Sequence, residues 1–166
     1  IKGLLRLSRT GRAELHPTRL DMNRMIENIL STMAFQIQKA AAVDEVGTLP
    51  DCWGDMNQVN QLFSNLLDNA IKYSHPSRAL RIEVTGSTRD GRTIYVVSDT
   101  GIGIAKEHQA KVWELFYRLD PQGIVGGEGL GLTLVRRIVE RHNGKTWIES
   151  EPNVGSRFYV ELPTQS

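Results

Sequence analysis

Asn65, Asn69 and Lys72 recur at steps of four and three residues. Two glycine clusters follow them, Asp99-Thr100-Gly101-Ile102-Gly103 and Gly126-Gly127-Glu128-Gly129-Leu130-Gly131. At about 100° per residue the three polar side chains and Gln61 fall within roughly 80° of one another on a helix. The other side of that helix is Met56, Val59, Phe63, Leu66, Leu67 and Ala70. A solvent face would satisfy the pattern, yet solvent faces favour Glu, Lys and Arg, because Asn costs helix propensity. Amide oxygens can ligate a hard cation such as Mg²⁺, and an ammonium can meet phosphate oxygens. On the helix alone, solvent face and anion site both stay open.

Asp99 follows the apolar run Ile94-Tyr95-Val96-Val97, so it stands where a strand meets a loop. Gly101 and Gly103 allow a tight turn and the close approach of a flat ligand, and Asp99 could accept a hydrogen bond from an exocyclic amine such as that of adenine. The plain alternative is an Asp capping its own turn. The second cluster opens a helix, which leaves N–H groups free for an anion. It is not a P-loop, since no Lys-Ser or Lys-Thr follows, and no strand directly precedes it as in a dinucleotide fingerprint. Between the loops lies Trp113-Glu114-Leu115-Phe116-Tyr117-Arg118. Trp113 and Phe116 fit core packing, whereas Arg118 suits a phosphate. Two loops converging with an amide stripe point to a nucleoside triphosphate with Mg²⁺.

The elements that must position these residues follow from periodicity. Residues 4–9 read as the end of a helix closed by Gly11, and residues 17–21 as a short extended segment with Asp21 capping a helix over 22–37. Two short strands are expected within 42–49 and at Cys52-Trp53. Asp55-Met56-Asn57-Gln58 has the form of a capping box and opens the polar-striped helix, which runs to about Tyr73 before His75-Pro76. Strands over 80–88 and 93–98 flank an Arg89-Asp90-Gly91 hairpin turn. Helices are expected over 106–113 and 129–142, the latter closed by Asn143-Gly144, then strands over 145–150 and 157–162. The sum is an α+β sandwich in two layers, one mixed and mostly antiparallel sheet with helices on one face.

At 166 residues and 40% hydrophobic content the chain fits one soluble domain with a proper core. A net charge of +1 gives no support for a nucleic-acid surface. The early basic cluster of Lys2, Arg6, Arg9, Arg12 and Arg19 reads as a solvated face. Cys52 is the single cysteine, so an intrachain disulfide is impossible; a reducing, cytoplasmic setting and a buried thiol are expected. No apolar run approaches the roughly 18 residues of a membrane span. The chain opens on Ile1, so a longer parent protein is expected, which leaves room for a membrane anchor upstream.

Together these residues resemble the ATP-binding catalytic domain of sensor histidine kinases, in the gyrase, Hsp90, histidine kinase and MutL superfamily. Residues 61–73 look like its asparagine box, residues 99–104 like its first glycine box, residues 113–118 like its phenylalanine box and residues 127–132 like its second glycine box. The resemblance implies the Bergerat fold. It implies that Asn69 holds Mg²⁺ with Asn65 in support, that Lys72 touches phosphate and that Tyr73 lines the pocket. Asp99 would read the adenine amine, with Gly101, Gly103 and Ile104 forming that wall and Gly103 beside the ring. Arg118 would reach the γ-phosphate, and Gly129, Leu130 and Gly131 would offer backbone N–H groups to the phosphates. Residues 119–128 would form a lid, in which Gly127 also belongs to the nucleotide-binding set.

The ATPase branches of the superfamily place Glu four residues before the metal-binding Asn. Here that residue is Asn65, and an amide is no general base, so transfer to a histidine is implied rather than hydrolysis. None of His16, His75, His108 and His142 stands in a phosphoacceptor setting. Residues 1–12 resemble the tail of a dimerisation helix, with the catalytic unit over 13–166. The implied partners are the dimerisation and phosphoacceptor domain of the same protein, a response regulator receiver domain and a second copy in a homodimer, with no nucleic acid. Two other readings stay open: a serine kinase regulator of the anti-sigma type, and a degenerate nucleotide-binding interaction module. The second is supported only by Glu128, which stands where the family more often has Thr or Ser.

Overall fold

The computed structural model describes residues 2–118 and 131–166. Helix α1 (Lys2–Arg12) is followed by β1 (Pro17–Leu20), α2 (Met22–Thr32), α3 (Ala34–Lys39), β2 (Val43–Val46) and β3 (Cys52–Asp55). Then come α4 (Met56–Lys72), β4 (Arg81–Arg89), β5 (Arg92–Asp99), α5 (Lys106–Gln109), a 3₁₀ turn (Lys111–Trp113), α6 (Gly131–Arg141), β6 (Lys145–Glu151) and β7 (Gly155–Pro163).

Five strands form one sheet in the order β2-β4-β5-β7-β6, with β2 parallel to β4 and the other pairs antiparallel. Alternation decides its faces. Thr93, Tyr95 and Val97 of β5, and Phe158, Val160 and Leu162 of β7, are buried under the helices. The opposite face carries Glu83, Glu149 and Arg157 and a stacked Trp147–Tyr159 pair, ring centroids 5.0 Å apart. Helix α4 lays Val59, Leu62, Phe63, Leu66, Leu67 and Ala70 into the core, where Phe63 meets Tyr95 edge to face at 5.5 Å. Each large apolar side chain buried this way is worth about 1.5–3 kcal/mol. Cys52 lies in the same core, and burial pushes its thiol up to about 11.

The two-layer α+β sandwich is thus present, with local departures from expectation. A second, two-stranded sheet pairs β1 with β3, Pro17 opposite Asp55. The helix expected over 22–37 breaks at Met33, because the Thr32 hydroxyl donates to the Ile29 carbonyl at 2.7 Å and competes with the helical ladder. The expected helix over 106–113 is a single turn followed by a 3₁₀ turn. Gly11 does not end α1, which runs to Arg12. Asn143-Gly144 closes α6 as expected, with Asn143 in the left-handed conformation (φ 54°). At the β4–β5 hairpin Asp90 (φ 52°) and Gly91 (φ 72°) both take positive φ, the turn that matches strand twist.

Candidate functional site

Helix α4 is fixed at its start by Asp55, whose Oδ1 accepts from the Gln58 N–H at 3.0 Å. With its apolar side committed to the core, it turns Asn65, Asp68, Asn69 and Lys72 into a cavity of about 290 Å³. Gln61, on the same stripe, does not reach this cavity. The Asn65 amide nitrogen is buried and has no hydrogen-bond partner among the described residues. Leaving such a donor unpaired costs about 1–3 kcal/mol, which an acceptor on a ligand would recover. Lys72 Nζ lies 2.7 Å from the Asp68 carboxylate, an i,i+4 pair that holds the ammonium at the cavity rim.

The opposite wall is the loop after β5. Asp99 is largely buried there, and desolvation raises its carboxyl to about 6 against hydrogen bonds from the Gly101 and Ser156 backbones that pull it down. Its Oδ1 accepts from the Gly101 N–H at 2.9 Å. Gly101 itself does not line the cavity. It sits behind the wall, where a Cβ would stand 2.3 Å from the Tyr73 carbonyl, so its requirement is close packing against the end of α4. Gly103 does line the cavity, at φ 70°, with room for no side chain against the Glu151 carbonyl. Ile104 follows, held by its N–H on the Ser150 hydroxyl at 2.7 Å.

Tyr73, Arg118 and Gly131 complete the set that the structure brings together with Asn65, Asn69, Lys72, Asp99, Gly103 and Ile104. Gly127, Gly129 and Leu130, and the proposed lid over 119–128, lie outside the described residues. Asp68, Tyr117, Ser156 and Phe158 also line the cavity and were not singled out from the sequence. Tyr117 is oriented by His108, whose Nδ1 lies 2.5 Å from the phenolic oxygen. Helix α1 contributes too. Leu7 and Thr10 are buried, and the Arg141 guanidinium at the end of α6 donates to the Thr10 and Ala13 carbonyls. That docking brings Arg6 and Leu7 to the cavity, a wall that a separate tail over 1–12 did not suggest.

A buried carboxylate facing two carboxamides and a lysine, under an arginine and the start of a helix, can grip a molecule with an amine at one end and anionic oxygens at the other. Residues 54–166 match the family model described as histidine kinase-, DNA gyrase B-, and HSP90-like ATPase. The chain belongs to that family. Within it, the methanogenesis regulatory histidine kinase FilI of Methanothrix harundinacea is 35% identical over 99% of this chain and 18% of its own length. Full-length ShkA, solved in complex with AMPPNP, superposes with a TM-score of 0.84 at 27% identity over 98% of this chain and 34% of that one. The histidine kinase ThkA, solved in complex with the response regulator protein TrrA, shares the fold with a TM-score of 0.78 at 22% identity, over 98% of this chain and 46% of that one. The chain is accordingly an ATP-binding catalytic domain of the histidine kinase type. It spans only 18–39% of the length of the curated relatives it matches. Among the described residues no helix is long and apolar enough to cross a membrane.

Proposed function

We propose that this domain binds ATP with Mg²⁺ and passes the γ-phosphoryl group to a histidine on a dimerisation segment of a homodimeric parent protein, for relay to a response regulator receiver domain. The observation that carries this reading is one cavity holding the desolvated Asp99 carboxylate against the Asn65 and Asn69 carboxamides. Asp99 accepts the adenine amine. The unpartnered Asn65 nitrogen donates to a phosphate oxygen, and Lys72 and Arg118 supply positive charge.

No cluster of three His, Cys, Asp or Glu fit to hold a metal occurs among the described residues, which suits an ion carried in by phosphates and held by an amide. Asn69 Oδ1 lies 4.0 Å from where a Cβ would stand at Gly131, so glycine at that position leaves room beside the oxygen. Mg²⁺, when bound, neutralises charge on the phosphate chain. The bond from the γ-phosphorus to its bridging oxygen breaks with its electron pair leaving on ADP. A phosphorus–nitrogen bond forms from the lone pair of the acceptor imidazole, and the proton on the other ring nitrogen passes to solvent. Within this chain, His142 is buried with both ring nitrogens hydrogen-bonded, His75 receives the Ser77 N–H, and His108 is engaged with Tyr117. These engagements count against His75, His108 and His142 as the acceptor, and the ThkA–TrrA complex supplies the precedent for the regulator.

Isothermal titration with a non-hydrolysable ATP analogue and Mg²⁺ tests the site. Saturable binding that is lost in Asn69→Ala and Asp99→Ala is expected; no binding, or binding indifferent to both changes, overturns the reading. Adding a separate dimerisation fragment and finding acid-labile phosphohistidine tests the transfer, and phosphoserine in its place would point to the anti-sigma type of kinase.

A further inference from the structure

Arg78 lies in the connection between α4 and β4, outside every motif noted above and outside the cavity lining. Its guanidinium nevertheless holds three carbonyls from two separate loops. Nε donates to the Thr100 carbonyl at 3.0 Å, and Nη2 donates to the Gly101 carbonyl at 2.8 Å and to the Val154 carbonyl at 3.1 Å.

The first two contacts bear on Asp99 through the covalent structure of the chain. The Thr100 carbonyl and the Gly101 N–H belong to one planar peptide unit, so fixing the oxygen fixes the direction of the N–H. That N–H is the one donated to Asp99 Oδ1. The next peptide unit behaves alike: Arg78 takes the Gly101 carbonyl, and the Ile102 N–H donates to the Tyr73 carbonyl at 2.9 Å. A glycine-containing loop has wide torsional freedom, and a planar guanidinium is the side chain that can clamp consecutive peptide planes at once. The third contact ties the same loop to the β6–β7 turn, where the Asn153 N–H also reaches the Ile102 carbonyl at 2.7 Å.

We infer that Arg78 is the positioning residue of the base-reading wall: by clamping the Thr100-Gly101 peptides it aims Asp99 and so sets the preference for a 6-amino over a 6-oxo purine nucleotide. This rests on the nucleotide reading proposed above. A carboxylate correctly aimed accepts from the 6-amino group of ATP, whereas the 6-oxo group of ITP offers it only an acceptor. The clamp therefore acts on discrimination, and a general loosening of the fold would weaken both nucleotides equally.

The test is titration of the 166-residue chain and its Arg78→Ala, Arg78→Lys and Asp99→Ala variants with Mg-ATP and with Mg-ITP, alongside melting curves. Arg78→Ala is expected to lose about tenfold in ATP affinity, the scale of one charge-assisted hydrogen bond, with ITP little changed. Arg78→Lys should fall between wild type and Ala, since an ammonium cannot reproduce the fork, and it keeps the test open if the Ala variant does not fold. Combining Arg78→Ala with Asp99→Ala should add little beyond Asp99→Ala alone, because both act on one contact. Equal losses for ATP and ITP in the Arg78 variants overturn the inference, as does unchanged ATP affinity in Arg78→Ala while Asp99→Ala lowers it. If wild type binds neither nucleotide, or Asp99→Ala binds ATP as wild type does, the nucleotide reading itself has failed and the inference falls with it.

Discussion

The Asp55 backbone N–H donates to Nε2 of His142 at 3.0 Å across 87 residues of sequence, and the two groups are buried together. An N–H can only donate, so Nε2 is an acceptor and the ring proton stands on Nδ1, which donates to the Ile138 carbonyl at 2.7 Å. Asp55 begins α4 and His142 follows α6. One neutral imidazole therefore ties together two helices that wall the cavity.

Replacing that imidazole by an apolar side chain should be costly. His142→Leu strands the buried Asp55 N–H and the Ile138 carbonyl contact, for a loss of about 2–3 kcal/mol. Urea unfolding at pH 7 should show it, with the melting temperature lower by roughly 2–4 °C per kcal/mol for a chain of this size. A loss within experimental error would mean that α4 and α6 are held by apolar packing alone.

Asp55 should set part of the acid limb of stability. Burial acts to raise its carboxyl, but hydrogen bonds from the His16, Gln58 and Asn57 backbones outweigh this and leave it below the usual carboxylate value of 3.8. A carboxyl depressed in the folded state stabilises above its unfolded value, and that contribution fades as pH falls through the folded value. Stability measured from pH 6 down to pH 2 should therefore drop less steeply in Asp55→Asn than in wild type.

Asp99 should behave in the opposite sense. Its carboxyl is raised to about 6, chiefly by burial, so folding is penalised above pH 6 and the penalty disappears as pH falls below about 4. At pH 7.5 Asp99→Asn is expected to stabilise the nucleotide-free domain by on the order of 1–3 kcal/mol while abolishing ATP binding. Near pH 4 the stability gain should vanish. In wild type, titration calorimetry should find ATP affinity falling as pH drops through about 6, since the protonated acid no longer accepts the amine cleanly.

Asn65 should decide the fate of the phosphoryl group. Asn65→Glu installs a carboxylate one turn before Asn69, on a side chain that already lines the cavity. A positioned general base contributes on the order of 10²-fold or more. Phosphate release from Mg-ATP should rise at least severalfold in this variant, assayed without any acceptor fragment. Unchanged release, with ATP binding intact, would show that Asn65 is not what withholds water chemistry.

The residues legible in the sequence are those whose reason is local. The Asn65, Asn69 and Lys72 spacing, the Asp55 cap, the Asp90-Gly91 turn and the alternation along β4 and β5 each follow from torsional preference and periodicity within a few residues. Gly101 shows the limit of such reading. Its place in the motif marks it as ligand-facing, whereas its neighbour is the Tyr73 carbonyl behind the wall. Nothing near Arg78 in sequence distinguishes it from a solvated arginine, because its acceptors lie 22, 23 and 76 residues away. The same holds for Arg6, which reaches the cavity only because α1 docks on α6.

By itself the sequence determined the kind of fold, the four motifs and the family, since composition, periodicity and motif order are carried by the chain. Only the tertiary structure decided that β6 lies at the sheet edge beyond β7, that α1 lends the cavity a wall, and that His142 and Arg78 brace its two sides. It also decided the desolvation of Asp99, because burial is set by everything packed around a carboxyl and by nothing in its own local stretch.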